Sequence, residues 1–421
     1  MTTRSQSAAT IAALALVSAQ PVSSQNVEPS DQTFTAQEVR SDLDAWLEWT
    51  RSTHPQLAYS VDPDVLEKAA ERISQALPET LSPSEAWRAL ATLNPVFNDA
   101  HIGLLVPPVS ETEEAAVPLT ISATQEGLFA RSTPDGPEGS FQIHAFNGTA
   151  WKDIASEAMA RLRGENEALR RFIIERRLHG LLRVLLPEGE IQSMTIQDSS
   201  NRQIEVPVDP SRLRFLANDA GAFGLSFTGN TAELSVPSFA RDREEEFTAF
   251  LESAFATIAE RGSDRLVIDI SENGGGAHDL SDQLMAYLTD KPYAATSAVT
   301  ARITRQNQAL IPGSKPGDVL TVPFAETVTP AADLAHRFDG DVSIKLGAKS
   351  YSQAIVFAAT AQDMGVARLV GEAPRAPANQ TGQVQTFKLP NTGFTVRAPI
   401  YIIYRGSGDR SRAPLAVEDA G

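Results

Sequence analysis

The last 200 residues alternate short apolar runs with longer amphipathic stretches, and this alternation limits the fold more than any other feature of the sequence. The predicted strands are 231–236, 266–270, 342–346 and 367–370, and the predicted helices are 241–260, 280–288 and 352–364. Strands that alternate with helices pair mainly in parallel, because each helix carries the chain back across the sheet. We therefore expect an α/β core with a mainly parallel sheet.

Two regions precede this core. Ser82 and Glu85 flank a proline at the first helical position, which is typical of a capped helix start in a helix-rich region. Farther along, short runs such as 141–143 alternate like strands, and 166–184 has the pattern of an amphipathic helix. We interpret this second region as a small insert domain.

The first residues have the features of a secretory signal peptide. Arg4 is followed by an uncharged apolar stretch at 8–19 and by small residues at 22–24, which predict cleavage before Gln25. The apolar stretch is shorter than the ~20 residues that a membrane-spanning helix needs. We therefore expect a periplasmic or secreted protein with no membrane span after removal of the signal. The predicted organisation is a signal peptide (1–24), an N-terminal helical region (25–106), an insert (107–220) and a core (221–421).

Composition excludes several classes of function. The 421 residues include 42% hydrophobic residues, which is typical of a folded globular protein. The net charge of −17 argues against a nucleic-acid partner, because phosphate binding requires clustered Lys and Arg. The chain has no Cys, so disulfides and thiolate catalysis are excluded. None of its six His stands in a metal-ligand spacing, so we expect neither a metal nor another cofactor.

Ser352 stands between a predicted strand and an apolar helix, within Ser350-Tyr351-Ser352-Gln353-Ala354. A hydroxyl at a helix N-terminus lies in a positive local field, and unpaired N–H groups nearby can stabilise an oxyanion. This position favours a nucleophile. The alternative is that Ser350 or Ser352 only caps the helix.

Three glycines, Gly274, Gly275 and Gly276, follow the predicted strand that ends at Ile270. Glycines allow the backbone to approach a ligand closely, and their N–H groups could hold an oxyanion. The alternative is a tight turn without a catalytic role. No Gly-Lys-Ser/Thr follows, so the segment does not predict a phosphate-binding loop.

His101 follows Asp99 by two residues, just after a predicted helix. A His with a neighbouring carboxylate can act as a general base near neutral pH. The alternative is a structural His.

Taken in order, these motifs resemble the C-terminal processing (tail-specific) serine peptidases, whose relatives include the tricorn protease core and the retinoid-binding proteins of the eye. The matching segments are 99–101, 269–276, 350–354, 371–372 and 389–393, within roughly 80–105 and 230–400. The resemblance implies a crotonase/ClpP-like core, and the segment 143–149 resembles the end of a degenerate PDZ-like insert.

The resemblance implies that Ser352 is the nucleophile. In the Ser-Lys branch of the family the catalytic Lys would fall at Pro377, and no Lys occurs between 350 and 387. His101 occupies the place of the base in the tricorn-like branch. The acid that orients this His is implied to be Asp99 or a late Glu, for which Glu418 is the candidate.

The implied reaction is hydrolysis of peptide bonds in exported or unfolded polypeptides through an acyl-enzyme, with kcat/KM rising through roughly pH 6 to 7. The implied oxyanion donors are the backbone N–H groups of Gly275 or Gly276 and of Gln353. One alternative is a non-catalytic ligand-binding protein on the same fold, which Ser271 favours because it replaces the family's usual Arg. Another is hydrolysis of a non-peptide ester or amide by the same residues.

Overall fold

The protein has a mixed α/β fold. A computed structural model describes residues 32–109, 117–132, 140–187, 189–197, 202–209, 213–217, 221–305, 307–324 and 326–418. The predicted signal peptide lies outside these residues. The described residues form an N-terminal helical part, an inserted sheet with two helices, and a core of two sheets.

Helices dominate the N-terminal part. Its elements are β1 (Phe34–Thr35), α1 (Ala36–Thr53), α2 (Pro63–Ala76), β2 (Thr80–Leu81), α3 (Pro83–Ala91) and β3 (Gly103–Leu104). The helix start predicted at Ser82 is confirmed, since its side chain and that of Glu85 cap each other's backbone in a capping box. Strands β1 and β2 pair antiparallel and tie the first helix to the third.

The inserted region is built around a sheet. Its elements are β4 (Val117–Ala123), β5 (Leu128–Ser132), β6 (Ser140–Phe146), β7 (Thr149–Ala150), α4 (Trp151–Met159), α5 (Glu167–Leu185), β8 (Ser193–Gln197), β9 (Gln203–Pro207) and β10 (Leu213–Ala217). The strand order is β10-β4-β5-β6-β8-β9, with β7 against β6. Helix α5 contacts β4 and β10 and also α3, so the insert and the N-terminal helices share one apolar cluster.

The core contains the predicted parallel sheet. Its elements are β11 (Gly224–Thr228), β12 (Thr231–Ser235), α6 (Glu244–Arg261), β13 (Arg265–Asp269), α7 (His278–Ala286), β14 (Thr296–Arg302), β15 (Val319–Pro323), β16 (Asp341–Leu346), α8 (Gln353–Asp363), β17 (Arg368–Gly371), β18 (Gln380–Lys388) and β19 (Thr395–Arg405). In the order β11-β12-β13-β16-β17, the last four strands run parallel and β11 runs antiparallel.

A second core sheet was not predicted. It has the order β15-β14-β19-β18, all antiparallel, and the short strand β3 joins it by pairing with β19. Strand β18 is largely polar and the middle of β19 is buried on both faces, so neither shows the alternation that marks a half-buried strand. This sheet decides where the segment after His101 lies, because β3 begins two residues later.

No helix among the described residues is long and apolar enough to cross a membrane.

Candidate active site

Ser352 lies on the turn between β16 and α8. Its φ of 52° and ψ of −120° are rare for a residue with a side chain and cost about 1–3 kcal/mol. Its hydroxyl makes no capping hydrogen bond to the helix, and the residue is partly exposed. The turn therefore presents the hydroxyl without using it as a cap.

Ser350 has a different environment, although it lies only two residues away. It is 1% exposed, its hydroxyl donates to the Ile270 carbonyl at 2.8 Å, and it accepts from the N–H of Gly347 at 3.0 Å. The first bond fixes the turn to the end of β13, and the second closes the turn on itself after β16. Ser350 is therefore a structural residue of the turn.

The glycine turn lies directly against Ser352. Gly275 has a φ of 101°, and a Cβ there would stand 2.8 Å from the Cβ of Ser352 and 2.9 Å from the N of Gln353. A Cβ on Gly276 would collide with the carbonyl of Phe239. The close approach of the two turns therefore requires glycine at 275, and the close approach of the backbone at Phe239 requires glycine at 276.

The backbone donors of the site differ in availability. The N–H of Gly275 donates to Asn273 Oδ1 at 2.8 Å, so Gly275 contributes shape and not a free donor. In the part of the chain that the structure describes, the N–H groups of Gly276 and Gln353 donate to no protein acceptor. These two N–H groups remain available to an oxyanion.

His101 and Asp99 form a buried pair, with 7% and 4% of their surfaces exposed. The backbone N–H of His101 donates to Asp99 Oδ1 at 2.8 Å, and the same oxygen lies 3.2 Å from the ring nitrogen His101 Nδ1. The His101 ring stacks on Tyr351 with ring centroids 4.9 Å apart. Since Tyr351 precedes Ser352, the imidazole lies beside the turn of the serine. The described residues include no hydrogen bond between Ser352 Oγ and His101, a contact that often tightens only when substrate binds.

Sequence reasoning missed the groups that hold Asp99. Its Oδ2 accepts from Ser60 Oγ at 2.7 Å and from Thr381 Oγ1 at 2.9 Å. His54 Nε2 lies 3.1 Å from Ser60 Oγ, and His54 Nδ1 accepts from the Gln56 N–H, so Nε2 carries the His54 proton and donates. A hydrogen-bond chain therefore runs from His54 through Ser60 to Asp99.

Burial and these partners shift the pKa values of the pair. Burial alone would raise the pKa of Asp99, but the hydrogen bonds and charges of its neighbours, His101 first, hold it well below its usual range. Burial lowers the pKa of His101, and the hydrogen bond and charge of Asp99 oppose this only in part. Asp99 is therefore ionised and His101 neutral near neutral pH, as a general base must be.

Other candidate bases and acids are engaged elsewhere. Lys345 Nζ pairs with Asp269 at 2.7 Å, and Lys349 Nζ pairs with Glu272 at 2.7 Å. Glu418, the late acid suggested by the resemblance, is exposed, and its carboxylate lies 3.9 Å from Arg368 beside β17. Among the described residues, no group of three or more His, Asp or Glu could hold a metal ion.

Two of the missed residues carried a weak sequence signal. Tyr351 lies between the two serines of the motif, directly before Ser352. Thr381 stands in a polar run just after Pro377, where the resemblance implies the Lys of the Ser-Lys branch, and Pro377 lines the same small cavity as Asp99 and Thr381. Nothing local to Ser60 indicates its role.

Comparison with known proteins bears on this arrangement. Residues 230–415 match the profile of Peptidase family S41. A comparison with curated protein sequences finds no significant match.

Several solved structures share the fold over most of its length. Mature CPAF in complex with lactacystin has a TM-score of 0.57 at 13% identity, over 91% of this chain and 93% of that one. Mature CPAF alone has 0.54 at 15% identity, with the same coverage. A candidate peptidase from Parabacteroides merdae has 0.50 at 12% identity, over 92% of this chain and 89% of its own. At such identities the likeness concerns the fold.

Proposed function

Because this chain belongs to peptidase family S41 and is a serine peptidase, we propose that Ser352 is its nucleophile and His101 its general base. The proposed substrates are peptide bonds of exported or unfolded polypeptides. One observation carries the proposal: Ser352, a partly exposed residue with a strained backbone, directly follows Tyr351, whose ring stacks on the imidazole of the buried Asp99–His101 pair.

The mechanism follows from the free groups of the site. His101 Nε2 takes the proton of Ser352 Oγ while Oγ attacks the carbonyl carbon of the scissile bond. The N–H groups of Gly276 and Gln353 stabilise the resulting oxyanion, and Asp99 stabilises the imidazolium. The imidazolium then protonates the leaving amine, which leaves an acyl-enzyme. His101 next deprotonates a water, whose attack on the ester releases the acid and restores Ser352.

The rival function is ligand binding without catalysis on the same fold. A fluorophosphonate, which reacts with activated serines, distinguishes the two. We expect the wild type and Ser350→Ala to be labelled, and Ser352→Ala to remain unlabelled. A folded wild type that resists the reagent would favour the binding function. Parallel assays on a peptide and on a simple ester then separate peptidase from esterase activity.

The role of His101 predicts a defined pH profile. The base must be neutral, so kcat/KM rises with pH through its pKa. Burial lowers the pKa of His101, so its limb lies below the 6.5 of an unperturbed His. His101→Ala should lose on the order of 10²-fold or more, and His101→Gln should not restore the rate. Activity that survives in His101→Ala and rises only above about pH 8 would assign the base to another group.

We also propose that the protein is exported to the periplasm or beyond. The support is the positive Arg4, the uncharged stretch at 8–19 and the small residues before Gln25. N-terminal sequencing of exported protein tests this. A start near Gln25 is expected, and an intact Met1 in the exported fraction would contradict it.

Family membership also supports two finer proposals about architecture, a crotonase/ClpP-like core and a PDZ-like insert. The mixed sheet with four parallel strands supports the first. The support for the second is a sheet with two helices between the N-terminal helices and the core.

A further inference from the structure

Glu165 is an acid that the mechanism above does not use, although it lies at the site. It belongs to the short connection between α4 and α5, which is fixed on both sides. Arg163 Nε donates to the Ala100 carbonyl at 2.9 Å, and Asn166 Nδ2 donates to the Ala348 carbonyl at 3.0 Å. Glu165 is thereby held between the loop of the proposed base and the turn of the proposed nucleophile.

One oxygen of this carboxylate is an orphan. Glu165 Oε2 is buried and has no hydrogen-bond partner in the described part of the protein. The residue borders a cavity of about 10 Å³, room for a single water, together with Asp99, Tyr351 and Thr381. A buried, unpaired carboxylate oxygen costs free energy, so its retention here calls for a functional explanation.

Tyr351 contacts the imidazole and borders the same small cavity as Glu165. Its hydroxyl oxygen lies 2.9 Å from His101 Nδ1 and 3.4 Å from Asp99 Oδ1. Burial, followed by the negative charge of Glu165, raises the pKa of this hydroxyl. The hydroxyl has one proton to donate. If it donates to Nδ1, the neutral His101 must carry its own proton on Nε2 and cannot accept the proton of the serine.

The opposite orientation of the Tyr351 hydroxyl gives the tautomer of His101 that can act as a base. If the Tyr351 hydroxyl donates to Glu165, His101 Nδ1 can hold the ring proton. That proton then faces Asp99 Oδ1 at 3.2 Å and Thr381 Oγ1 at 2.9 Å. The lone pair on Nε2 is left free. The direction of one hydroxyl proton thus decides whether the imidazole can act as a base.

We propose that ionised Glu165 draws the hydroxyl proton of Tyr351 away from His101 and so selects the imidazole tautomer with an unprotonated Nε2. Glu165 and Tyr351 are positioning residues, because each acts through the imidazole and neither bonds to the reacting atoms. The proposal rests on the proposed role of His101 as general base.

The charges around Glu165 and His101 place the change between the two tautomers of His101 near neutral pH. Burial, followed by the charge of Asp99, raises the pKa of Glu165 to about 7. The other charged groups that face Glu165 and His101 are Arg163, Arg170 and Arg397. Since burial lowers the pKa of His101 itself, a limb of kcat/KM near pH 7 would belong to Glu165.

The first test compares pH profiles of Glu165→Gln and Tyr351→Phe with the wild type. We expect a wild-type limb near pH 7 that moves to lower pH in both variants, since Gln accepts the hydroxyl proton at every pH and Phe donates none. The plateau should fall by about tenfold or less. Glu167→Gln, which changes an exposed carboxylate two residues away, should keep the wild-type profile. A limb that stays near pH 7 in Glu165→Gln overturns the proposal.

The second test reads the tautomer directly and does not depend on turnover. In Ser352→Ala protein with ¹⁵N-labelled His, the His101 signal is identified by its absence in a His101→Gln variant. Lowering the pH through 7 should move the ring proton from Nδ1 to Nε2, and Glu165→Gln should prevent this change. Unchanged signals of the other five His show that each variant is folded.

The two proposals can fail separately. If His101→Ala abolishes activity but the tautomer of His101 does not respond to pH or to Glu165→Gln, the positioning role is overturned and the base assignment stands. If His101→Ala stays active, the proposed base is wrong, and with it the catalytic meaning of any tautomer change.

Discussion

The serine side and the histidine side of the candidate site are built in different ways. Ser352 is placed by consecutive elements, β16 and α8, and by the glycine turn that ends the neighbouring strand. The Asp99–His101 pair is held by groups distant in sequence. Thr381, which bonds Asp99, is 282 residues away, and Arg397, which donates to the His101 carbonyl at 3.2 Å, is 296 residues away.

This difference determines what a substitution does. On the serine side the groups that react are partly exposed and carry few bonds, so removing one changes chemistry more than stability. On the histidine side the polar groups are buried. Each lost partner there leaves another buried group without a hydrogen bond, which costs about 1–3 kcal/mol of stability. Substitutions there should affect catalysis and the free energy of unfolding together.

The largest effect is expected for Ser352→Ala. Loss of the nucleophile should lower kcat by on the order of 10³-fold or more while the free energy of unfolding changes by less than about 1 kcal/mol. Kinetics and denaturant unfolding measure the two quantities. The matched control is Ser350→Ala, which should lose about 1–3 kcal/mol of stability and retain activity in the folded fraction. Equal activity losses in both variants would leave the serine side without an assigned nucleophile.

Asp99→Asn should cause the next largest effect, and it should lower both the catalytic rate and the free energy of unfolding. We expect kcat/KM to fall by about 10²-fold to 10⁴-fold, because the amide no longer orients or stabilises the imidazolium. Since Asp99 opposes the lowering of the His101 pKa, the remaining activity should persist to lower pH. Asp153→Asn, an exposed change in α4, serves as the control. Wild-type kinetics in Asp99→Asn would contradict the role of Asp99 in orienting His101 and stabilising its imidazolium.

Gly275→Ala tests the serine side without removing a reactive group. Its Cβ would stand 2.8 Å from the Cβ of Ser352, so the turn must shift and kcat should fall by about tenfold to 10²-fold. Gly262→Ala is the matched control, because Gly262 also has a positive φ, 64°, but a Cβ there meets nothing within 4 Å. It should lose about 1 kcal/mol of stability and keep kcat. A similar kcat in the two variants would show that the close approach at Gly275 does not matter.

Ser60→Ala should have the smallest effect on rate and a clear effect on stability. It removes one donor to Asp99 and leaves the Nε2 proton of the buried His54 without its acceptor. We expect kcat/KM to fall by less than about tenfold, and the free energy of unfolding to fall by about 1–3 kcal/mol. Ser52→Ala, an exposed serine in α1, provides the comparison. Unchanged stability in Ser60→Ala would contradict the dependence of the histidine side on its buried partners.

The serine side and the histidine side also differ in how much of each could be predicted from the sequence. The strands and helices of the parallel sheet were predicted closely, because each depends on a local apolar period. The segment 380–405 was not predicted as strands, since β18 is polar and β19 is buried on both faces. The availability of donors was equally hidden, because the bond from Gly275 to Asn273 depends on the detailed course of the turn.

By itself, the sequence determined the order of elements in the core, the start of α8 directly after Ser352 and the glycine that lets two turns approach. These features depend on neighbouring residues, whose periodicity and backbone preferences are written along the chain. Only the tertiary structure decided that Ser60, Glu165, Tyr351 and Thr381 surround His101 and Asp99. A buried polar group must find partners wherever folding places them, and that position depends on packing between distant segments and not on any local pattern.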